Sequence, residues 1–298
     1  MVLCRTAGRP VIVPGAADSY SFRSDEVRVK TSGRTGAVGV VVGALALSAF
    51  TAPAAQAAST GIKVSRVVVN GGKPIVVGTT DEKEPSITFR VTLPSGYTSA
   101  DMWPWTARPF LYHGTTLAKG EEKGIRTIIY TCDATTPRIA DCEGSLYIDP
   151  RYGLRSNNDA TTWKIGALTQ LWKPSGGLKT EQIVTASGTA QLKRWAKVTV
   201  NASPEPVKKG KTITVTGSLK RADWAKHTYT GVGGASVKLQ FRKKGSSTYS
   251  TVKTVKTGST GALKTTVKAS VDGYWRWSYG GSSTTGTATA KADFVDVR

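Results

Sequence analysis

Few side chains in this sequence have the types and spacing that catalysis requires. The 298 residues include only two histidines, His113 and His227, and neither lies in a recognisable nucleophile or metalloprotease motif. The acidic residues Asp141, Glu143 and Asp149 follow one another closely. Paired carboxylates can hydrolyse a glycosidic bond, so an extracellular hydrolase without a known motif is kept as a third hypothesis. The main prediction is that the protein is not an enzyme.

Two other features have the chemistry of a binding site. Trp103 and Trp105 flank a proline, and two indoles on one loop offer a flat surface on which a sugar ring could stack. The carboxylates of Asp141 and Glu143 are oxygen ligands of the kind that Ca²⁺ takes, although this ion wants about six to eight oxygens. The alternatives are aromatic rings that close one end of a β-sandwich and ordinary surface charge. A carbohydrate-binding module, with or without Ca²⁺, is the second hypothesis, and no cofactor or metal is predicted.

Positive charge is concentrated in the C-terminal part of the chain. The whole chain has a net charge of +21, and residues 197–298 carry 18 basic and 5 acidic residues, whereas residues 62–192 carry 15 and 12. Alternation places five basic side chains on the outward side of C-terminal strands: Lys238, Arg242, Lys264, Lys268 and Arg276. If those strands share a sheet, the five form one basic face, which predicts binding to an anionic cell-wall polymer or polysaccharide. The alternative is a solvated face whose lysines keep sheet edges unpaired.

Recognition of a specific nucleic acid is not predicted. Proteins that bind single strands stack bases on exposed aromatic rings between their cations. Only Tyr249 and Tyr274 lie among the basic residues of the C-terminal part.

The elements that position these residues are predicted to be β-strands. Apolar and polar residues alternate with period two, most clearly in the stretch 273–279, where Trp275, Trp277 and Tyr279 share one face. Eight strands are predicted between residues 62 and 192 and seven between 198 and 297. The sequence therefore predicts an all-β monomer of two consecutive β-sandwich domains, over residues 58–192 and 197–298.

Several connections are predicted from local residue types. Asn70-Gly71-Gly72 predicts a hairpin between two neighbouring strands, because Asn and Gly accept the positive φ of tight turns. Cys132 and Cys142 predict a disulfide that closes a short loop in an oxidising compartment. Residues 220–234 are predicted to be a long surface loop, and residues 163–172 fit a strand or a helix.

The N-terminal segment has the features of a secretory leader. Residues 36–50 are small or apolar, three basic residues precede them, and Ala55-Gln56-Ala57 fits the small-x-small cleavage rule. The apolar run is shorter than the about 20 residues that span a bilayer, so residues 1–57 are predicted to be a cleaved signal peptide and not a transmembrane anchor. Residues 1–28 are mixed in charge, unlike the basic start of a signal peptide. This predicts that translation begins near Val27 or Val29. We expect a secreted protein, extracellular or associated with the cell wall.

The C-terminal part resembles a known class of module. Residues 198–202, 204–210, 212–217, 237–241 and 273–277 are similar to the bacterial immunoglobulin-like modules of secreted actinomycete proteins. The resemblance implies a β-sandwich used for adhesion, spacing or binding, and it implies no catalytic residue. Unlike many immunoglobulin domains, this part has no cysteine pair to join its sheets. The first hypothesis is therefore a secreted, non-enzymatic protein that binds an anionic polymer through its basic face.

Overall fold

The computed structural model describes residues 3–6, 9–12 and 59–298. The first two segments form an antiparallel pair, β1 (Leu3–Thr6) and β2 (Arg9–Ile12). The predicted apolar run, the cleavage after Ala57 and the start near Val27 lie outside the described residues. In the described parts of the chain, no helix has the length and apolar character needed to cross a bilayer.

The prediction of an all-β protein is confirmed. From residue 59 the chain first forms eight strands and one short α-helix: β3 (Lys63–Val69), β4 (Ile75–Val77), β5 (Ser86–Thr92), β6 (Trp105–Tyr112), α1 (Leu117–Lys123), β7 (Ile125–Thr136), β8 (Ile139–Leu146), β9 (Thr162–Trp172) and β10 (Leu178–Arg194). Two single-turn 3-10 helices, Asn70–Gly72 and Asn157–Asp159, lie in the connections. The order of the strands in the sheet is β3-β5-β8-β7-β6-β9-β10-β4. Only two residue pairs join β6 to β7, and inward side chains from both sides of this join meet in one core. The stretch that fitted a strand or a helix is strand β9.

The predicted hairpin at Asn70 is wrong. Strand β3 pairs with β5, while β4 runs parallel to β10, with Ile75 opposite Leu192. Asn70, Gly71 and Gly72 all have positive φ, at 52°, 59° and 76°. A two-residue hairpin turn of type I′ uses two such residues. Here three successive residues with positive φ direct the chain away from β3, and the next strand, β4, lies at the opposite edge of the sheet.

A second set of nine strands follows without a spacer: β11 (Ala196–Ser203), β12 (Thr212–Asp223), β13 (Thr228–Gly231), β14 (Ser236–Lys243), β15 (Ser250–Lys256), β16 (Ala262–Lys268), β17 (Gly273–Tyr279), β18 (Ala288–Thr289) and β19 (Asp293–Val295). Strands β11, β12, β13 and β16 form one sheet, called here the β12 sheet. Strands β15, β14, β17, β18 and β19 form the other, the β14 sheet. Inward side chains from both sheets share a second core.

The aromatic strand β17 supplies the centre of this second core, as predicted. Trp277 is 0% exposed, and its indole N–H donates to the Thr216 carbonyl of the opposite sheet at 3.0 Å. Gly217 allows this close approach, because a Cβ there would lie 2.8 Å from Cδ1 of Trp277. The two sheets are therefore held face to face by a tryptophan that spans the gap between them.

The predicted loop 220–234 is instead a hairpin that joins the two halves of the molecule. Strand β12 continues to Asp223 and pairs with β13. Trp224, just beyond the strand, is 0% exposed and packs in the N-terminal core. Its indole N–H donates to the Gly78 carbonyl at 2.8 Å, and Asn157 bonds to both Asp223 and the Trp224 backbone. The prediction failed because Trp224 finds its hydrogen-bond partners, Asn157 and Gly78, 67 and 146 residues away in sequence.

Candidate functional site

The five predicted basic residues lie on two different sheets. Strand β14 carries Lys238 and Arg242, and the neighbouring β17 carries Arg276. Strand β16 carries Lys264 and Lys268 and pairs with β12, so that Lys264 lies opposite Thr216. The expectation of one shared basic face is therefore wrong. Period-two alternation separates inward from outward positions, but in a two-layer fold there are two outward faces.

The outer face of the β14 sheet brings together one residue from each of four adjacent chain segments. Arg242 on β14 is opposite Tyr274 on β17, and Tyr274 is opposite Phe294 on β19. On the other side, Tyr249 directly precedes β15 and lies beside Arg242. All four side chains are half-buried. We call Tyr249, Arg242, Tyr274 and Phe294 the aromatic row.

Two arginines are stacked against the rings of the aromatic row. The Arg242 Cζ atom lies 4.2 Å from the ring centroid of Tyr274 and 5.3 Å from that of Tyr249. The Arg276 Cζ atom lies 3.6 Å from the centroid of Tyr249. The rings of Tyr274 and Phe294 are 5.0 Å apart. A cation against an aromatic face is stabilised by about 0.5–1 kcal/mol at exposed sites, so these contacts hold both guanidinium planes in place.

Hydrogen bonds fix the same arginines without neutralising them. The Arg276 Nε donates to Oε1 of Gln240 at 2.8 Å, and Nη1 of Arg242 donates to the Ser246 carbonyl. Both acceptors are uncharged. Within residues 59–298, neither arginine nor Lys238 takes part in an ion pair. Their positive charges therefore face solvent in fixed positions without a carboxylate partner.

The outer face of the β12 sheet carries the other two of the five predicted basic residues. Lys264 and Lys268 are exposed on β16 and lie opposite Thr216 and Thr212. Neither lysine takes part in the cation–π contacts of the described residues. In this sheet such a contact joins Lys197 on β11 to Tyr229 on β13, so Lys264 and Lys268 lack the aromatic support that holds the arginines of the β14 sheet.

Comparison with known proteins assigns no family. No protein-family model and no curated protein matches the chain. Similar solved structures include a marsupial T cell receptor, at 10% identity and a TM-score of 0.35, covering 79% of this chain and 73% of that one. They also include the D00-D0 domain of intimin, at 14% identity, a TM-score of 0.26 and coverage of 77% and 98%. Fibronectin(III)-like modules of CbhA from Clostridium thermocellum match at 15% identity, a TM-score of 0.26 and coverage of 78% and 92%.

Similarity at this level carries no functional assignment. The architecture is established by the sheets of this chain itself, and the immunoglobulin-like character of the C-terminal part stays a prediction.

The prediction that Trp103 and Trp105 together form an exposed stacking surface is wrong, because only Trp103 is exposed. Trp105 is the first residue of β6 and is 0% exposed, with its indole N–H bonded to the Thr98 carbonyl at 3.1 Å. Trp103 is 56% exposed. A single exposed indole remains, because β6 turns the second tryptophan into the N-terminal core.

The predicted disulfide is confirmed, and the carboxylate of Asp141 beside it is already paired with Arg90. Cys132 and Cys142 are bonded and lie opposite each other on β7 and β8. Both oxygens of Asp141 accept from Arg90, at 2.6 Å each. Among the residues that the structure describes, no group of three or more His, Cys, Asp or Glu is placed to hold a metal. The Ca²⁺ alternative near Asp141 and Glu143 therefore has no ligand set in this part of the chain.

Two of the three carboxylates considered for hydrolysis, Asp141 and Asp149, are poorly suited to it. The side-chain hydrogen bond from Arg90 lowers the pKa of Asp141, and that from Arg151 lowers the pKa of Asp149. A glycosidase needs one carboxyl that keeps its proton. Both groups are instead held in the ionised form. His113 bonds to Asp159 at 3.0 Å and packs on Trp163, so its contacts are those of a structural side chain.

Proposed function

We propose that the protein is a secreted, monomeric, non-enzymatic binding protein that attaches to an anionic cell-wall polymer or polysaccharide. The contact surface is the outer face of the β14 sheet. The observation that carries the proposal is the pair Arg242 and Arg276, which are stacked on tyrosine rings and have no carboxylate partner within residues 59–298.

The geometry suits a polymer that presents acidic groups beside sugar rings. A guanidinium offers a planar fork of N–H donors that matches carboxylate or phosphate oxygens. The rings of Tyr249, Tyr274 and Phe294 lie in the same outer face and supply apolar area beside each cation. Because the arginines are already held in place, little side-chain entropy is lost when the ligand binds.

The remaining basic residues contribute at longer range. Lys238 lies on the same outer face, opposite Ser278, and extends the basic surface along β14. Lys264 and Lys268 lie on the other side of the sandwich and cannot touch a ligand bound at the aromatic row. Their charge is part of the +13 net charge of residues 197–298, which favours the approach of polyanions.

A matched pair of double variants tests the proposal. Arg242→Ser with Arg276→Ser removes two charges from the aromatic row, and Lys264→Ser with Lys268→Ser removes two from the opposite face. At about 1 kcal/mol for each cation near an anionic surface, the first variant should lose about 30-fold in affinity. The second should lose less than about threefold. Co-sedimentation with purified cell walls and with an acidic polysaccharide measures both, and equal losses from the two faces would contradict the proposal.

Further arms identify what the arginines recognise. Arg242→Lys with Arg276→Lys keeps the charge but loses the planar fork, so affinity should fall although net charge is unchanged. Raising the ionic strength from low to moderate should weaken binding, because screening shortens the Debye length to about 8 Å at physiological salt. Binding that survives high salt and falls in Trp103→Ala would favour the carbohydrate-module hypothesis instead. Equal affinity for DNA and polysaccharide would show unspecific charge attraction.

A further inference from the structure

A second cationic site lies where the two halves of the molecule meet, and it is built around a buried arginine. Arg194 is the last residue of β10 and is 7% exposed. Its Nε atom is fully buried and has no hydrogen-bond partner within the described residues. Buried arginines are almost always paired, so an unpaired one at a domain junction needs an explanation.

A second guanidinium comes from the other half of the molecule. Arg221 lies on β12, and its Nη1 donates to Oγ1 of Thr285 at 3.2 Å. Thr285 lies in the loop that follows β17 and is 0% exposed. Its backbone forms an isolated parallel β-bridge with the backbone of Arg194. Backbone bonds clamp this loop onto Arg194, from Arg194 N to the Thr284 carbonyl at 3.0 Å and from Gly286 N to the Arg194 carbonyl at 2.9 Å. Both arginines are therefore anchored around one buried threonine.

The one acidic side chain in the neighbourhood does not neutralise the pair. Asp223 accepts hydrogen bonds from Nδ2 of Asn157 at 2.9 Å and from the Lys226 backbone at 3.2 Å. It forms no ion pair with Arg194 or Arg221 among the described residues. Burial, and then the charge of Arg221, lower the pKa of Arg194, and the smaller opposing effect of Asp223 does not reverse this direction. The charge of Arg221 thus acts on the guanidinium of Arg194 in a place where desolvation makes an unpaired cation costly.

We propose that Arg194 and Arg221 form a binding site for a tetrahedral oxyanion of the phosphate or sulfate class at the domain junction. The anion would accept from the unpaired Nε of Arg194 and from the free donors of Arg221, with Thr285 beside it. Such an ion offsets the unpaired charge and links β10 to β12 through its own oxygens. Because the two guanidiniums belong to different sandwiches, the anion stabilises their association. This site is separate from the aromatic row and does not depend on the proposed function.

Thermal unfolding at constant ionic strength tests the site. Sodium phosphate or sulfate replaces sodium chloride, and the melting temperature of the full secreted chain is followed as the oxyanion concentration rises. At about a hundred times the dissociation constant, linkage predicts a rise of about 5–10 °C for a protein of this size. Chloride at the same ionic strength should produce no such rise.

Three variants make the result specific. Arg194→Met removes the buried charge at similar volume, so it should melt no lower than wild type in chloride and should lose the oxyanion-dependent rise. Arg221→Met should reduce the rise at least by half. The matched control is Arg108→Met, which removes an exposed arginine on β6 and should keep the full rise.

Two anions distinguish the source of the group. Inorganic phosphate probes a free ion, and glycerol 3-phosphate probes a phosphate carried on a larger molecule. A rise with either one that is lost in Arg194→Met supports the site and identifies the source. The proposal is overturned if neither anion raises the melting temperature of wild type, or if Arg194→Met responds as wild type does. Should Arg194→Met not fold, the same comparison is made with Arg221→Met and with Arg194→Lys, which keeps the charge but lacks the fork.

Discussion

Trp224→Ala removes an indole that the C-terminal sandwich places in the core of the N-terminal one. The side chain is 0% exposed, and its N–H donates to the Gly78 carbonyl at 2.8 Å. A buried Trp→Ala change costs about 3–5 kcal/mol, and the carbonyl left without its donor adds about 1 kcal/mol. We therefore expect a loss of about 4–6 kcal/mol, a large part of the about 5–15 kcal/mol typical of a folded protein.

Equilibrium unfolding in urea, followed by circular dichroism and fluorescence, measures this loss. Wild type should unfold in one transition, because the tip of the β12–β13 hairpin belongs to both halves. In Trp224→Ala the N-terminal sandwich should unfold first, so the single transition should separate into two. Trp224→Phe keeps much of the packing and loses the hydrogen bond, and should cost about 1–2 kcal/mol. Trp103→Ala, at an indole that is 56% exposed, is the control and should change stability by less than about 0.5 kcal/mol. A loss below about 1 kcal/mol in Trp224→Ala would refute the assignment of this residue to the N-terminal core.

Three further outcomes are expected. Gly217→Ala places a Cβ 2.2 Å from the Thr199 carbonyl oxygen and 2.8 Å from Cδ1 of Trp277, so its melting temperature should fall, with a loss of about 1–3 kcal/mol. Reduction of the Cys132–Cys142 bond, whose partners are 10 residues apart, should cost about 2–3 kcal/mol, seen as a lower urea midpoint with reductant. The pKa of Asp149 is lowered in the folded protein by its hydrogen bond from Arg151. The ionised carboxylate therefore stabilises the fold at pH values above the ordinary pKa of about 3.9, and this stabilisation is lost as the pH falls through the folded pKa. Melting temperatures measured between pH 6 and pH 2 should fall less in Asp149→Asn than in wild type.

Much of the strand pattern is local information and could be predicted. In β17, alternating large and polar residues give the strand, its inward face and the burial of Trp275 and Trp277. The disulfide also follows from local spacing and the expected compartment. These inferences succeed because a side chain in a strand must point to one face or the other, whatever the strand pairs with.

Pairing partners are not local information, and the predictions of the site failed there. Nothing near Lys264 in sequence shows that β16 pairs with β12 and not with β14. The aromatic row depends on the registers that bring Tyr249 and Tyr274 to the two sides of Arg242. The two tyrosines were visible among the basic residues, but their contact with the arginines requires the sheet.

Trp103 and Trp105 show a different limit. Two residues that are two positions apart share a face only when both lie inside a strand. Strand β6 begins at Trp105, so Trp103 lies outside it. Trp224 had a signal of its own, since a tryptophan in an otherwise polar segment seldom stays in water. The sequence could suggest that this indole is buried, but not that its core belongs to the other half of the chain.

The hairpin tipped by Trp224 also determines how the protein can be cut for experiments. A shortened chain that stops at residue 194, the end of β10, would keep the N-terminal strands but leave a gap of indole size among their side chains. The complementary fragment, beginning at residue 197, would carry that indole into water as a sticky, aggregation-prone tip. Recombinant work should therefore keep both sandwiches in one polypeptide.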